Sequence, residues 1–461
     1  MNVVKQMKKF VEPKSVALLG ASRRTGEDAF NIIENLLSYS YQGRIYPINP
    51  NVSEILGLKT YSSITDINNE IDLAIINLPR SLVPSVVREC TKQGIQSIII
   101  VTQGFADASD EEGRQLQKEI DELIKKSGIR ILGPNTLGIT NAFINFSSSF
   151  RKVELARVPV GVICQTGVFF TGFPGLRLLG KGIDLGNACD VDFVDGLEYF
   201  EQDDDTRIIA LHIEGIRGGE RFLRAVNRLA QRKPVVALKT GKSEYAAQAV
   251  QSHTGSLVGK DEVWETALRQ SGVIRVNDID ELGDSVRAFS SLPLMKGRKI
   301  GIISASGGLG IMSIDACHKF NLEVAKLSSI TMERIKALSP SWMSISNPVD
   351  IWPAYIVQKQ PLTKVLTESI GTVLNDYEVD AALFMWAPVS HQNCSDLCQL
   401  LVKLAEAHQD KPVVCSLHGA YAEEAKNNLE VTGRVIVFHN PDRAIRSLAH
   451  LARYSAFRRG F

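Results

Sequence analysis

The sequence predicts an α/β protein built from three consecutive doubly wound units, each a parallel sheet flanked by helices. Short, continuously apolar runs alternate with longer segments of helical periodicity, which is typical of buried parallel strands joined by crossover helices. This alternation starts again twice along the 461 residues. Each start has the same form, an apolar strand that ends in a small turn before a helix, written GAS, CQTG and SASGG.

The first unit contains five predicted strands. They are Ser15–Gly20, Gly43–Ile48, Asp72–Leu78, Ser97–Val101 and Arg130–Leu132. The stretches Ala29–Ser40 and Leu82–Gln93 between them have helical periodicity. The opening apolar run is too short for a signal peptide and ends in a glycine turn, so we interpret it as a buried strand.

The second and third units begin after Arg151-Lys152 and after the hinge-like segment Pro293–Arg298. Strands of the second unit are predicted at Val160–Cys164, Ile208–Ile213 and Val235–Lys239, with a helix at Gly218–Gln231. Strands of the third unit are predicted at Lys299–Ser304, Ala381–Trp386, Val413–Leu417 and Val435–Phe438.

Composition and charge narrow the choice of partners. The hydrophobic fraction of 44% and the charged fraction of 22% are those of a soluble globular protein. With 52 basic and 51 acidic residues, the net charge is only +1, which gives no overall positive potential to attract a polyanion. No stretch approaches the roughly 18 apolar residues of a membrane-spanning helix. We therefore expect neither nucleic acid nor a membrane as a partner.

Seven scattered cysteines favour a reduced, cytoplasmic protein. The close pair Cys394 and Cys398 has helical i,i+4 spacing, and His391 lies nearby in the sequence. A zinc site there is an alternative, but the second pair of ligands that zinc needs is missing. We predict no metal site.

The first glycine turn lies where open α/β sheets bind ligands, at the carboxyl end of a strand. Gly20 and Ser22 open this turn, and Arg23 adds a positive charge. The spacing of a dinucleotide fingerprint, G-x-G-x-x-G, is absent. From the turn alone, a nucleotide-like ligand and tight packing explain these residues equally well.

Polar loops also follow the other strands of the first unit, and together they predict a long crevice at the same sheet edge. The candidate residues in these loops are Asn49, Pro79, Thr102, Gln103 and Asn135.

The second unit has two candidate features at its strand ends. The backbone amides of Gln165, Thr166 and Gly167 and the hydroxyl of Thr166 would suit a phosphoryl group. An ordinary α/β turn is the simpler explanation. Glu214 ends a buried strand, where its carboxylate would hold the ring of a histidine. A salt bridge from Glu214 to Arg217 or Arg221 is the alternative.

One histidine lies in an unusually open setting. The stretch QSHTGSLVG surrounds His253 with hydroxyls and glycines. Because there is little side-chain bulk, backbone N–H groups and hydroxyls would be accessible to bind an anion.

Taken together, the motifs resemble those of the α subunit, or α-like half, of the NDP-forming acyl-CoA synthetases. These are also called ADP-forming acetate–CoA ligases and are relatives of succinyl-CoA synthetase. The matching motifs, in family order over nearly the whole chain, are GAS, YPINPN, GPNTLGI, HIEGIRGG, LKTGKS, SHTGSLVG and NPVDI. SHTGS together with IEG is specific, whereas GAS alone would be weak.

The resemblance implies a Rossmann-like CoA-binding domain over residues 1–145, followed by two flavodoxin-like domains. The first of these, over residues 146–293, carries the histidine loop, and the second covers residues 297–461. The implied CoA-binding residues are Gly20, Ser22, Arg23, Asn49, Pro79, Thr102, Gln103 and Asn135, and the implied phosphate-binding residues are Gln165, Thr166 and Gly167.

The implied reaction interconverts acyl-CoA, ADP and phosphate with a carboxylic acid, CoA and ATP. It passes through an acyl phosphate and a phosphohistidine at His253, with Glu214 orienting that histidine. Neutral imidazole is a good nucleophile near neutral pH, and a Gly/Ser loop would let it move between sites.

The resemblance also implies a partner. We find no ATP-grasp nucleotide-binding domain before Phe461, and the family supplies one either by fusion or as a β subunit. We therefore expect a separate ATP-grasp β subunit that binds ATP or ADP with Mg, in an α2β2 heterotetramer. The substrates would be a small carboxylic acid, CoA and phosphate.

Two motifs depart from the family. CQTGV replaces SQSGA at the second turn, where Thr166 keeps a hydroxyl while Phe169 and Phe170 could reshape the acyl pocket. SASGGLG replaces NAGGPG at the third, which puts any contact from the asparagine in doubt.

Two other classes compete with the catalytic interpretation. A CoA-binding regulatory or scaffolding module of the same fold would have no evident need for both His253 and Glu214. A nicotinamide-dependent dehydrogenase is disfavoured because the first turn lacks a proper fingerprint and its acidic residue.

Overall fold

The structure is a computed structural model that describes residues 3–173, 176, 178–246 and 260–460, with only the backbone at residue 27. The structure has two compact units, which are distinct from the three predicted from the sequence. The first unit is Met1–Leu282, and the second unit is Gly283–Phe461. The first unit contains two large sheets and the second contains one. The predicted α/β fold class, with three successive sheets built mainly of parallel strands, is confirmed.

The first sheet has five parallel strands in the order β2-β1-β5-β6-β7. Its strands are β1 (Ser15–Leu19), β2 (Arg44–Ile48), β5 (Leu73–Ile76), β6 (Ser97–Ile100) and β7 (Arg130–Leu132). A small antiparallel hairpin, β3 (Glu54–Ile55) and β4 (Leu58–Lys59), follows β2. Because β1, β5 and β6 are buried along their whole length, their apolar runs could be read directly from the sequence.

Four helices and three short 3₁₀ turns accompany this sheet. They are α1 (Val3–Val11), α2 (Ile32–Ser38), α3 (Val83–Lys92) and α4 (Glu111–Ser127), with turns at Glu27–Ala29, Ile64–Asp66 and Arg80–Leu82. Side chains that accept backbone N–H groups fix two helix starts, Asn31 before α2 and Asp110 before α4. Gly128, in the left-handed region at φ +70°, ends α4.

The second sheet has seven strands in the order β14-β13-β12-β10-β11-β8-β9. They are β8 (Ile139–Asn141), β9 (Phe146–Ser147), β10 (Val160–Cys164), β11 (Lys181–Asp184), β12 (Ile208–Ile213), β13 (Val235–Lys239) and β14 (Ile274–Val276). Strands β10 to β14 run parallel, whereas β8 pairs antiparallel with both β11 and β9.

The helices of this part are α5 (Val168–Thr171), α6 (Phe193–Glu201), α7 (Gly219–Ala230), α8 (Asp261–Gln270) and α9 (Ile279–Ser291), with a 3₁₀ turn at Ala142–Ile144. The hairpin of β8 and β9 spans residue 145, where the sequence places the first domain boundary, and both of its strands belong to the second sheet. The bounds of the three domains stay a prediction.

The third sheet has the order β16-β15-β18-β19-β20, and β17 pairs with the carboxyl end of β15. Its strands are β15 (Lys299–Ser304), β16 (Glu323–Val324), β17 (Val349–Asp350), β18 (Ala381–Trp386), β19 (Val413–Leu417) and β20 (Ile436–Phe438). The helices are α10 (Gly307–Lys319), α11 (Ser329–Leu338), α12 (Trp352–Ile356), α13 (Leu362–Asn375), α14 (His391–Ala407), α15 (Ala422–Glu430) and α16 (Pro441–Arg458).

Alternate residues of β18 pack into two separate apolar cores. Phe384 faces a core with residues of α13, α14 and α15, whereas Leu383 faces a core with residues of α10 and α16. Because successive side chains of a strand point to opposite faces, helices cover both faces of this sheet. This is the doubly wound arrangement that the sequence predicts.

The strand order of each sheet reverses at its first parallel strand, β1, β10 or β15. Ligands of open α/β sheets bind at such switch points, beyond the carboxyl ends of the strands. The turns GAS, CQTG and SASGG follow β1, β10 and β15 directly. The three recurring sequence motifs therefore lie at the three topological switch points.

All seven cysteines are free thiols; six are buried and Cys189 is partly exposed. Cys394 and Cys398 lie on α14, while Nδ1 of His391 lies 2.7 Å from a carboxylate oxygen of Glu424. Among the described residues, no group of three or more His, Cys, Asp or Glu side chains could hold a metal ion. None of the described helices is long and apolar enough to span a bilayer.

Candidate functional site

The first predicted turn lies where β1 and β5 end side by side. Gly20 has φ +91°, and a Cβ there would lie 2.1 Å from the carbonyl oxygen of Asn77. The side-chain amide of Asn49 donates to the carbonyl of Ala21 at 2.8 Å. Asn49 therefore contacts the residue after Gly20, and only a residue without a side chain at position 20 lets the ends of β1 and β5 approach so closely.

Ser22 and Arg23 form the outer part of this turn. The carbonyl of Ser22 accepts a hydrogen bond of 3.0 Å from the side chain of Asn31, which also caps α2. Arg23 is exposed. The turn is therefore held from its inner side, and its outer side faces solvent beside the start of a helix.

Three loops of the first sheet meet a turn of the second sheet around a cavity of about 630 Å³. Thr102, Gln103 and Asn135 line it from the first sheet, and Gly167 lines it from the second. The Thr102 carbonyl accepts the N–H of Asn135 at 3.0 Å, so two of these loops are joined directly. Asn135 adopts a left-handed conformation at φ +62°.

Other residues predicted to bind CoA do not line this cavity. Gly20, Ser22, Arg23, Asn49 and Pro79 lie outside its described lining. They remain predicted contacts for a longer ligand that would extend beyond the cavity along the edge of the first sheet.

Gln165, which is predicted to bind phosphate, also links two turns of the second sheet through its side chain. Its buried side-chain oxygen accepts the N–H groups of Glu214 at 2.8 Å and Gly215 at 3.1 Å. The turn after β10 is thereby tied to the turn after β12. Thr166 is partly exposed beside it, and a Cβ on Gly167 would lie 2.7 Å from the side chain of Leu137.

Glu214 is buried, and its backbone is held from both sides. Its N–H donates to Gln165, and its carbonyl accepts a 2.9 Å hydrogen bond from the ammonium group of Lys239. Burial lowers the pKa of Lys239 to about 8. Arg221, one of the alternative ion-pair partners for Glu214, instead pairs with Asp192.

His253 and its whole loop, residues 247–259, lie outside the described residues. Its relation to Glu214 therefore stays a prediction.

His212, two residues before Glu214, is a buried histidine that sequence reasoning did not select. Its ring stacks on Phe169 with centroids 4.8 Å apart, and Nε2 lies 3.2 Å from the hydroxyl of Thr240. Burial and the nearby charge of Lys239 lower the pKa of His212 to about 4. The ring is therefore neutral at physiological pH.

Asp184, at the carboxyl end of β11, is a second residue that sequence reasoning missed. It lines the cavity while only 2% exposed, and its carboxylate accepts the N–H of Leu137 at 2.7 Å and that of Gly186 at 3.3 Å. Burial raises the pKa of Asp184 to about 6. Like Glu214, it is an acidic residue at the end of a buried strand and shortly before a glycine, but the strand of Asp184 contains a lysine and a glycine and so lacks an apolar signal in the sequence.

Comparison with known proteins agrees with this geometry. Residues 14–142 match the model of a CoA binding domain, and residues 159–289 match that of a succinyl-CoA ligase like flavodoxin domain. The fold and both matches define the class, a CoA-binding protein related to succinyl-CoA ligase.

Curated relatives cover nearly the whole chain. It is 32% identical to the α subunit of acetate–CoA ligase (ADP-forming) I of Pyrococcus furiosus, over 97% of each chain. It is 35% identical to acetate–CoA ligase (ADP-forming) of Methanocaldococcus jannaschii, over 98% of this chain but 63% of that protein. The chain therefore belongs to the family of ADP-forming acetate–CoA ligases.

Among solved structures, the fold resembles that of dinucleotide forming acetyl-coenzyme A synthetase 1 from Ca. Korarchaeum cryptofilum, in complex with phosphate and ADP. The TM-score is 0.88 at 28% identity, over 98% of this chain and 97% of that chain. In contrast, the chain spans 63% and 66% of the length of the curated relatives from M. jannaschii and Archaeoglobus fulgidus.

Proposed function

We propose that this chain is the CoA-binding, histidine-carrying subunit of an ADP-forming acyl-CoA synthetase. The reaction interconverts acyl-CoA, ADP and phosphate with a carboxylic acid, CoA and ATP. The observation that carries the proposal is the shared cavity, in which the loops around Thr102 and Asn135 meet the predicted phosphate turn at Gly167.

The cavity suits the reacting end of such a substrate. Its volume of about 630 Å³ lies within the usual range of small-molecule sites, about 300–1,000 Å³. Polar groups of Thr102, Gln103 and Asn135 line one side. The CoA phosphates would lie near Gly20, Ser22 and Arg23, at the first switch point, and the thiol would reach the turn at Gly167.

His253 would carry the phosphoryl group away from the acyl phosphate. Neutral imidazole attacks phosphorus, and the resulting N–P bond is labile enough to pass the phosphoryl group on. Glu214 supports this role because Gln165 and Lys239 fix its backbone on both sides. A carboxylate so fixed would hold one tautomer of the histidine and stabilise its charged form.

The nucleotide would bind elsewhere. We place ATP or ADP, with Mg, on an ATP-grasp β subunit, in a cytoplasmic α2β2 heterotetramer. One fact supports a separate partner: the relative from P. furiosus is named as subunit α, and the match covers 97% of that chain.

The test follows the phosphoryl group with the chain alone. Labelled acetyl phosphate should transfer phosphate to the peptide that contains His253, and His253→Ala should abolish this label. Because truncation of a residue in a polar loop leaves no cavity, the variant should lose no more than about 0.5 kcal/mol of stability. Glu214→Gln should slow labelling by roughly ten- to a hundred-fold, the scale for a lost orienting partner.

His391→Ala is the matched control, since His391 is exposed and its ring nitrogen pairs with the carboxylate of Glu424. It should label at the wild-type rate. Stoichiometric labelling of the His253→Ala variant would contradict the proposal. Binding of CoA without any labelled histidine would favour a non-catalytic CoA-binding module instead.

A further inference from the structure

Asp184 lies on the floor of the cavity, at the seam between the two sheets of the first unit. It ends β11, in register with Cys164 at the end of β10. Its backbone carbonyl accepts the hydroxyl of Thr136, and its carboxylate accepts the N–H of Leu137. The carboxyl group is thus held in one place by the segment that joins the two sheets.

The turn at Gly167 approaches this carboxylate without a side chain of its own. A Cβ on Gly167 would lie 3.6 Å from Oδ2 of Asp184. Any larger residue at position 167 would therefore stand between the carboxylate and the space beside the turn. The same turn is the predicted phosphate site, so a ligand bound there would have its reacting atoms near Asp184.

The groups that face Asp184 leave it as the candidate base. The thiol of Cys164 donates to Oδ1 at 3.9 Å, and burial raises the pKa of this thiol, which keeps it protonated. Arg151 lines the same cavity as a cation, and the charge of Glu214 acts on Asp184 from the turn after β12. Among the described residues that line the cavity, Asp184 is the only carboxylate.

The titration of Asp184 fits this role. Burial is the main cause that raises the pKa to about 6, and the charge of Glu214 acts in the same direction. Hydrogen bonds from Leu137, Gly186 and Thr136 act against it. A carboxylate of this kind is ionised at neutral pH but more basic than an exposed one, as a proton acceptor should be.

We infer that Asp184 is the base that takes the proton from the thiol of CoA. This inference rests on the proposed function and names a catalytic residue for its thiol step. As the S–H bond breaks, the proton passes to Asp184, and the sulfur attacks the acyl carbon of the acyl phosphate. The C–O bond to phosphate then breaks, phosphate leaves with the electron pair, and it takes the proton from Asp184.

A base is needed because a free thiol with a pKa near 8.5 is only a few per cent ionised at pH 7. The predicted histidine chemistry has no such need, since His253 attacks phosphorus as neutral imidazole. The two half-reactions therefore separate the role of Asp184 from that of His253.

The experiment compares both half-reactions in Asp184→Asn. Asparagine keeps an oxygen to accept the N–H of Leu137 but is no base. Formation of acetyl-CoA from acetyl phosphate and CoA should fall in kcat by about a hundred-fold or more, the scale of general base catalysis. Labelling of His253 by acetyl phosphate should stay within about twofold of wild type.

The pH profile gives a second readout. The wild-type rate of acetyl-CoA formation should be half-maximal near pH 6 and fall further as the pH drops below it, because Asp184 becomes protonated. The residual rate of Asp184→Asn should lack this fall. His391→Ala, an exposed residue outside the described lining of the cavity, is the control and should keep both the rate and the profile.

Each outcome decides a separate question. If Asp184→Asn forms acetyl-CoA at the wild-type rate, the inference is overturned but the proposed function is not. Equal loss of both half-reactions would show a structural role and overturn it as well. If the wild-type chain neither forms acetyl-CoA nor labels His253, the proposed function itself fails.

Discussion

At Gly20, a single missing side chain lets β1 and β5 end in contact. The residue has φ +91°, and the nearest atom to an added Cβ would be a backbone oxygen, Asn77 O, which cannot rotate away. The turn therefore forms without steric strain only when position 20 is glycine.

Gly20→Ala should destabilise the first unit by about 3 kcal/mol. The left-handed conformation contributes about 1 kcal/mol, and the forced separation of the two strand ends contributes about 2 kcal/mol. Gly57→Ala is the control, because Gly57 has a similar φ of +80° with nothing within 4 Å. It should cost only about 1 kcal/mol. Urea unfolding measures both, and equal losses would refute the clash.

At this scale, sequence reasoning found the residues whose role is local. Gly20 and Asn49 could be selected because turns and strand ends leave a local signature. The bond from Gln165 to Glu214 could not, because it joins residues that are 49 positions apart in the sequence. Asp184 was missed because the strand that it ends is four residues long and contains a lysine and a glycine.

Strand β11 begins with a buried charge. The ammonium group of Lys181 donates to Asp203 at 2.6 Å, to Asp205 at 2.9 Å and to the hydroxyl of Tyr199 at 3.2 Å. Tyr199 donates in turn to Glu12, just after α1. One lysine thus connects an inner strand to the carboxylates around it and, through Tyr199, to the first helix.

Lys181→Met should cost about 3 kcal/mol of unfolding free energy, since it leaves the buried Asp203 without its cation. Lys126→Met is the control. Lys126 pairs with Glu122 at 3.1 Å on the exposed face of α4, and removal of such a pair costs less than about 0.5 kcal/mol. Adding Asp203→Asn to Lys181→Met should recover part of the loss. Equal effects of the two lysine substitutions in thermal unfolding would contradict this account.

Elements that bury a continuous apolar run were predicted to the residue, as for β10, β12, β13, β15, β18 and β19. The hairpin of β8 and β9 was not, because its strands have only three and two residues and it joins the sheet through the pairing of β8 with the distant β11. Helix α1 was also missed. Its apolar residues are nevertheless spaced for one buried face.

In the whole molecule, three of the described buried titratable groups contribute to the dependence of stability on pH. Burial lowers the pKa of His212 to about 4 and that of His450 to about 3, and raises that of Asp184 to about 6. As the pH falls through 6.5, the two histidines bind protons in the unfolded chain but stay neutral in the folded one, so the free energy of unfolding decreases. Asp184 acts oppositely, because its folded form binds the proton first.

Between pH 7.5 and 5.5, each histidine should remove about 1.4 kcal/mol, whereas Asp184 should return about 0.8 kcal/mol. The second unit, which contains His450, should therefore weaken more than the first, which contains His212 and Asp184. Hydrogen exchange followed by mass spectrometry reads peptides of the two units separately. In His450→Gln the pH dependence of the second unit should shrink, and an unchanged slope would count against the assignment.

The burial of the thiols has a practical consequence at the bench. Six of the seven cysteines are buried, and burial raises the pKa of the partly exposed Cys189 to about 12, so all of them react slowly with a colorimetric disulfide reagent. Free CoA has an exposed thiol and reacts at once. Release of CoA can therefore be followed continuously by thiol titration in the presence of stoichiometric native protein, whereas its consumption is followed in samples withdrawn from the reaction. The same reagent in denaturant counts seven thiols as a measure of protein concentration.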